Sequence, residues 1–318
     1  MAQPTSSDLH VDALLTNMSI GYKNPAYIAD TLFPQVQVRK QADIVPRYDR
    51  SHWFRSLAKL RAPATKSERS GFTVDKTMTY FCDRYSFGFE IPDDVRDNAD
   101  EPYNMDRDGA EFVSDKMQLV RENNWVTDFF TTGKWTTDKT GGVNFTVWSN
   151  YGASDPLGDV TTYKDTVEAL IAREPNTLVI GKEVWSKLKW HPDLVDTIKY
   201  TQRGQVSLDL AASLLELASI KVGTSLVTTT AEGTAEASVV YSRIWGKHGL
   251  LMYIVPNPSL MTPAAGYTFV WNRVPSALQY VKRMRDEERE VDIIEGNSYF
   301  DQKITAADAG LFLSGAVA

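Results

Sequence analysis

Four histidines, a lone cysteine and a run of carboxylates are the side chains of this 318-residue sequence best suited to chemistry. His10, His52, His191 and His248 never stand four residues apart, so there is no helical histidine pair for a metal. Three of them adjoin Pro, Trp or Gly at expected element ends, which favours structural or surface roles. Cys82 falls within an alternating, strand-like stretch; a single cysteine excludes an internal disulfide and a zinc site built from several thiolates. A nucleophilic thiol needs a histidine beside it in space, and packing is the role expected here. Neither G-x-S-x-G nor G-x-G-x-x-G occurs, and Gly181-Lys182-Glu183 lacks the upstream glycine and the hydroxyl of a phosphate loop. Asp93, Asp94, Asp97, Asp100 and Glu101 supply carboxylates for a hard cation or for acid–base hydrolysis, without the alternate-residue spacing of a calcium loop. A solvated turn, or a docking face for basic groups, is the preferred reading. No catalytic residue, cofactor or metal ligand is assigned.

The complementary charge lies just upstream. Residues 39–69 hold nine basic and three acidic side chains, interleaved with Tyr48, His52, Trp53 and Phe54. Such a mixture can bind single-stranded nucleic acid. Residues 76–115 invert the sign with eleven acids against four bases, and the whole chain has a formal net charge of −7. That balance argues against a dedicated nucleic-acid binder and for pairing between copies of the chain. The expected inter-subunit contacts are Arg47, Arg50, Trp53, Arg55, Lys59 and Arg61 against Asp93, Asp94, Asp97, Asp100 and Glu101.

The elements that must position these groups follow from periodicity. Residues 1–46 are rich in apolar side chains but broken by Gly21, Pro25 and Pro34. They read as an arm that must dock, either on its own body or on a neighbour. Residues 72–91 alternate as a strand and, with the basic stretch before them, predict a long hairpin with a polar tip at 56–71. The best helix is 104–130, with Phe112, Val113, Met117, Val120, Val126, Phe129 and Phe130 at three-to-four spacing. Asn104 or Asp106 can cap it, and its length is nearly ~40 Å at ~1.5 Å per residue. From 163 to 255 helices at 163–173, 183–190, 192–200 and 207–218 alternate with strands at 177–180, 220–222, 237–241 and 250–255. The remainder is β-rich at 267–273, 277–284, 290–296 and 301–304. The fold class is α+β. No apolar run approaches the ~20 residues of a membrane span, and the N-terminus has neither the basic nor the apolar region of a signal peptide. Eight tryptophans, an arm unable to fold alone and two opposite charge blocks describe a protein that assembles with itself.

Three stretches carry a family resemblance. Residues 17–38, NMSIGYKNPAYIADTLFPQVQV, resemble the N-terminal arm of tailed-bacteriophage major capsid proteins. Residues 175–205, PNTLVIGKEVWSKLKWHPDLVDTIKYTQRGQ, resemble a helix-rich part of their axial domain. The C-terminal region 281–318, including VDIIEGNSYFDQKITAADAGLFLSGAV, is similar to their last strands. The resemblance implies the HK97-like capsid fold. In it, 1–46 is the N-terminal arm and 47–88 an extended β-hairpin loop. Residues 89–149 and 256–318 form a peripheral domain with a spine helix at 104–130, and 150–255 the axial α/β domain.

What the resemblance implies about function is a major capsid protein that self-assembles, as hexamers and pentamers, into an icosahedral shell around packaged double-stranded DNA. The implied partners are a portal protein, a separate scaffolding protein and an optional decoration protein, with DNA bound without sequence specificity and no membrane. The expected location is the virion, after assembly in the bacterial host cytoplasm, and the protein is not expected to be an enzyme. No residues for covalent crosslinking are carried over. The alternatives are an encapsulin-like compartment shell and a carboxylate-based hydrolase using the acids of 93–101.

Overall fold

Apolar side chains are shared between two five-stranded sheets, and one long helix touches both. The computed structural model describes residues 27–48, 54–97, 104–198, 206–231, 233–257, 262–272 and 278–318. Numbered along the chain, the arm contributes α1 (Ala29–Leu32) and β1 (Gln35–Val38). A narrow ribbon follows, made of β2 (Ala42–Ile44), β3 (Arg47–Tyr48), β4 (Val74–Asp75) and β5 (Thr79–Phe81). Next come β6 (Asp83–Pro92), the short α2 (Asp93–Asp97) and α3 (Met105–Phe129). The middle of the chain holds β7 (Thr137–Thr140), α4 (Pro156–Ile171), β8 (Thr177–Gly181), α5 (Lys182–Leu188), α6 (Pro192–Ile198) and α7 (Leu208–Leu214). It continues through β9 (Ser219–Gly223), β10 (Leu226–Thr228), β11 (Tyr241–Arg243) and β12 (Gly249–Met252). The chain closes with β13 (Gly266–Trp271), β14 (Gln279–Asp286), β15 (Val291–Ile304) and β16 (Gly310–Ser314). This mixed architecture is α+β.

The first sheet is organised by β15, whose 14 residues pair with β14 and β13 on one side and with β6 on the other. Strand β1 joins it in parallel with β13. The second sheet runs β7-β16-β12-β8-β9. The sequence reading grouped residues 256–318 together; β16 instead leaves the first sheet and inserts between β12 and β7 of the second. Its four buried residues, Gly310 to Leu313, explain the insertion: only an interior strand covers both faces. Gly310 also lets the chain pass Trp135, since a Cβ there would lie 2.2 Å from the indole. The expected strand at 237–241 is a 3-10 turn (Glu236–Ser238) leading into β11, because β10 and β11 make a short hairpin of their own. Helix α4 starts earlier than expected. Asp155 accepts the Gly158 amide at 2.8 Å, and Pro156 occupies its first turn.

Helix α3 follows its capping signal, the Asn104 side chain accepting from the Arg107 amide at 3.1 Å. Its buried residues come in pairs at helical spacing, from Gly109 and Ala110 through Val113 and Ser114 to Trp125 and Val126. Gly109 brings the helix against β6, where an added Cβ would lie 2.7 Å from Phe89. The apolar stripe expected from sequence included Phe112 and Val120, yet both face solvent, while Arg121 and Glu122 are buried. The helix is rotated so that this face meets the arm, where Arg121 reaches Asp30 at 3.1 Å.

Described arm residues fold back on their own chain. Ile28, Ala29, Leu32 and Phe33 are buried, with Phe33 5.3 Å from Trp125 and 5.0 Å from Phe129 between ring centroids. Glu122 secures them. One carboxylate oxygen accepts the Ile28 and Ala29 amides at 3.0 and 2.8 Å. The other accepts the Trp245 indole N–H at 2.7 Å and the Ser225 hydroxyl at 3.2 Å. Burial pushes the Glu122 pKa up against the pull of these donors.

Replacing Glu122 by Ala strands three buried donors, since Trp245 still reaches the Ser225 hydroxyl at 3.0 Å, and should destabilise the subunit by about 3–5 kcal/mol. Glu122→Gln keeps the volume but turns one oxygen into a donor facing donors, at a cost of about 1–3 kcal/mol. Urea unfolding followed by tryptophan fluorescence measures both.

Candidate subunit interface

The ribbon grows from a hinge at Cys82. The long strand expected over 72–91 is interrupted there, so β5 stays in the ribbon with β2 while β6 crosses onto β15. The Cys82 amide donates to the Gln41 carbonyl at 2.9 Å. Its thiol is buried 3.6 Å from the Phe269 carbonyl and is pushed up to about 12 by burial, which removes it from nucleophilic chemistry. Tyr80 stacks on Phe269 at 4.8 Å, and the Phe81 amide donates to Asp301 at 2.9 Å, fixing the ribbon base. Beyond β3 and β4, residues 54–73 have no strand or helix and are solvent-exposed.

The predicted contact residues are not equivalent. Arg47 is committed within the chain to Asp75 at 2.6 Å, and Thr77 together with Arg47 holds that carboxyl down to about 2. Arg55 is exposed on the tip. Lys59 reaches Glu68 at 3.3 Å, and Arg61 donates to the Thr65 carbonyl at 2.6 Å. Arg50 and Trp53 lie outside the described residues, as do Asp100 and Glu101. On the acidic side, Asp93 receives both terminal nitrogens of Arg285 at 2.6 and 2.5 Å, and this pairing holds its carboxyl below the usual range. Glu90 is held in the same way by Arg289. Asp94 and Asp97 are exposed. The geometry therefore separates the predicted acids into one closed by an arginine of the same chain and two that face water.

Behind them is a denser network. Asp292 lies between Arg96 and Arg283, the latter at 2.9 Å, and Arg96 also reaches Asp106 at 2.9 Å. Burial alone would raise the Asp292 pKa, but Arg283 and Arg96 hold it down to about 2. This network joins α2, the start of α3 and the β14–β15 hairpin.

Sequence reasoning missed the apolar part of the surface. Phe54, Leu57, Leu60 and Phe72 are exposed on the loop. On the body, Phe112 and Val120 of α3 and Phe87 of β6 are exposed in turn. Phe87 and Phe89 stand 5.8 and 5.7 Å from Phe112, and the Lys116 ammonium is 5.2 Å from the same ring. The three-residue spacing of Leu57 and Leu60 among basic side chains was the available signal.

One constellation invites a catalytic reading. Ser154 lies 2.9 Å from Nε2 of His191, and Asp193 follows close by. The hydrogen-bond directions oppose catalysis. The Ser154 hydroxyl donates to the Asn150 carbonyl at 2.7 Å, so it accepts from Nε2–H. Nδ1 accepts the Asp193 amide at 3.3 Å. The imidazole thus carries its proton on the nitrogen that a general base would need free. Burial lowers its pKa against the pull of Asp193 and Asp155. His248 is likewise used as an acceptor, for the Gly315 amide at 3.1 Å. His10 and His52 lie outside the described residues. Among the described residues no cluster of three or more His, Cys, Asp or Glu has metal-site geometry. A depression of about 190 Å³ bordered by Lys182, Lys187 and Arg243 lies far from the ribbon in sequence.

No family model matches the chain. It is 26% identical over 310 residues to the major capsid protein of Burkholderia phage BcepMu, covering 96% of each chain. It is 28% identical over 247 residues to the major capsid protein of Pseudomonas phage JBD67, covering 76% and 77%. Among solved structures it is similar to a phage-related protein of Bordetella bronchiseptica RB50, with TM-score 0.75 and 23% identity over 97% of this chain and 98% of that one. The capsid of cyanophage P-SCSP1u follows at TM-score 0.58 and 12% identity, covering 92% and 89%. The SrpI encapsulin of Synechococcus elongatus gives 0.51 and 9%, covering 99% and 92%. The fold is the HK97-like capsid fold of tailed phages.

Two outcomes follow from the site chemistry. Asp292 has a folded-state pKa below its ordinary 3.8, so its contribution is complete above that pH and is lost as pH falls through about 2. In Asp292→Asn the midpoint of thermal unfolding, followed by circular dichroism from pH 5 to pH 2, should be lower at pH 5 and fall less steeply. Ser154→Ala should cost about 1 kcal/mol and leave any esterase background on an activated ester unchanged.

Proposed function

We propose that this chain, a major capsid protein with the tailed-bacteriophage capsid fold, forms hexamers and pentamers of an icosahedral shell enclosing double-stranded DNA. The observation that carries the reading is the projecting ribbon on a body whose full length is similar to a phage capsid subunit. A loop of 20 exposed residues with apolar side chains and no core of its own becomes satisfied only against another molecule. We place the protein in the virion, assembled in the host cytoplasm. A portal protein, a separate scaffolding protein and an optional decoration protein are its partners in this reading. The overall charge of −7 limits adhesion of the inner wall to DNA phosphates.

Loop residues of one subunit cross the peripheral region of the next. Exposed ion pairs contribute only about 0–1 kcal/mol each, but repetition around a closed shell multiplies them. Arg55, Lys59 and Arg61 are the basic side of this contact, and Asp94 and Asp97 its water-facing acids. Asp93, held by Arg285, shapes the surface from behind. The SrpI likeness makes an encapsulin-type compartment the second reading; cargo protein in place of packaged DNA distinguishes it.

Purified protein, with or without scaffold, should give closed shells by negative-stain electron microscopy. Changing Arg55 and Arg61 to Glu should lower shell yield several-fold while leaving helical content unchanged. Undiminished full-sized shells from that variant contradict the charge contribution.

A further inference from the structure

The hairpin of β10 and β11 joins neither five-stranded sheet. A ribbon of two three-residue strands is marginal in water on its own. This one nevertheless leaves Leu226, Val240 and Tyr241 49%, 70% and 60% exposed. Opposite pairing of Leu226 with Arg243 and of Thr228 with Tyr241 puts these four side chains on one face. Residues 226–242 include Glu232 and Glu236 and not one Lys, Arg or His. Glu232 itself lies outside the described residues.

Arg243, at the base of the hairpin, borders the depression of about 190 Å³ that also has Lys182, Ser186 and Lys187 of α5 on its wall. The cations therefore converge from two separate elements. Among the described residues none of the three meets a carboxylate at ion-pair distance, although Glu183 stands on the same rim. Elsewhere the chain pairs its arginines closely, as at Arg285 and Arg289, so these cations are left over. Strand β11 runs from the tip toward Arg243, and the hairpin thus carries its acids away from its own depression. A second copy can receive them.

We infer that the acidic tip of the β10–β11 hairpin seats in the Lys182–Lys187–Arg243 depression of a second copy of this chain. Tip and receptor stand at opposite ends of one hairpin, so each copy both gives and receives and the contact is head-to-tail. Contacts of that type close into rings when the rotation allows, as hexamers and pentamers require. Carboxylates meeting ammonium and guanidinium groups set register and encounter rate, and the Leu226–Tyr241 face beside Arg243 is covered as the tip seats. This clasp deepens the shell reading and rests on it.

Charge exchange tests the clasp. Glu232→Lys with Glu236→Lys should lower shell yield roughly tenfold at unchanged thermal unfolding, and so should Lys182→Glu with Lys187→Glu and Arg243→Glu. Both sets placed in one chain should recover most of the yield. Cys82 is buried and is the sole native thiol, so new cysteines report alone. Size-tagged chains carrying Ala235→Cys, mixed with untagged chains carrying Ser186→Cys, assembled and oxidised, should give a mixed disulfide dimer roughly tenfold above a pair of Ala235→Cys with Ala58→Cys. Wild-type shells with neither recovery nor crosslinking above that control overturn the clasp and leave the shell reading intact. Cation reversal that spares shells but weakens retention of a duplex of about 20 base pairs assigns the depression to phosphate and also overturns it. Wild-type protein that forms no shells with or without scaffold overturns the shell reading, and the clasp with it.

Discussion

A single buried carboxylate sets the internal geometry of this subunit. Glu122 stands at the middle of the long helix and receives hydrogen bonds from the arm, from Ser225 and from Trp245. These groups come from separate parts of the chain, and Trp245 is tied to Ser225 as well at 3.0 Å. Their common acceptor therefore fixes how α3 is rotated. That rotation turns Glu122 and Arg121 inward and leaves Phe112 and Val120 outside. Exposure of Phe112 and Val120 accompanies that rotation, since an unpaired buried donor costs more than an exposed phenylalanine.

Charge and apolarity have divided roles on the surface. The best-formed ion pairs are spent within the subunit, where Arg285, Arg289, Arg96 and Arg283 hold the β14–β15 hairpin, α2 and β6 in fixed relation. Bidentate pairing of this kind gives orientation as well as energy. Exposed apolar side chains stand on the loop (Phe54, Leu57, Leu60, Phe72), at Phe87 and Phe112, and also across the middle of the chain, as at Trp190, Leu226 and Val240.

Much of the fold was legible because local signals and tertiary demands agree. Asn104 caps α3, Ser207 caps α7 and Pro192 opens α6, as their residue types dictate. The pattern at 72–91 reads as one strand because alternation continues through Cys82, and nothing local marks where the chain changes partners. The Asp-Pro-Leu-Gly sequence at 155–158 looks like a turn and is a helix start, since aspartate and proline serve both. At the interface, the charged residues were visible in sequence but their pairing was not. Asp93 meets Arg285 across 192 residues, a separation beyond any periodicity argument. Phe112 and Val120 were assigned to the core because a helix stripe does not reveal which of two adjacent faces is covered.

Strand β16 has a consequence for biogenesis. It lies between β12 and β7, so the second sheet is split in two until residue 314 has been synthesised. Until then β7 has no strand partner, and the β12-β8-β9 part of the sheet stands apart from it.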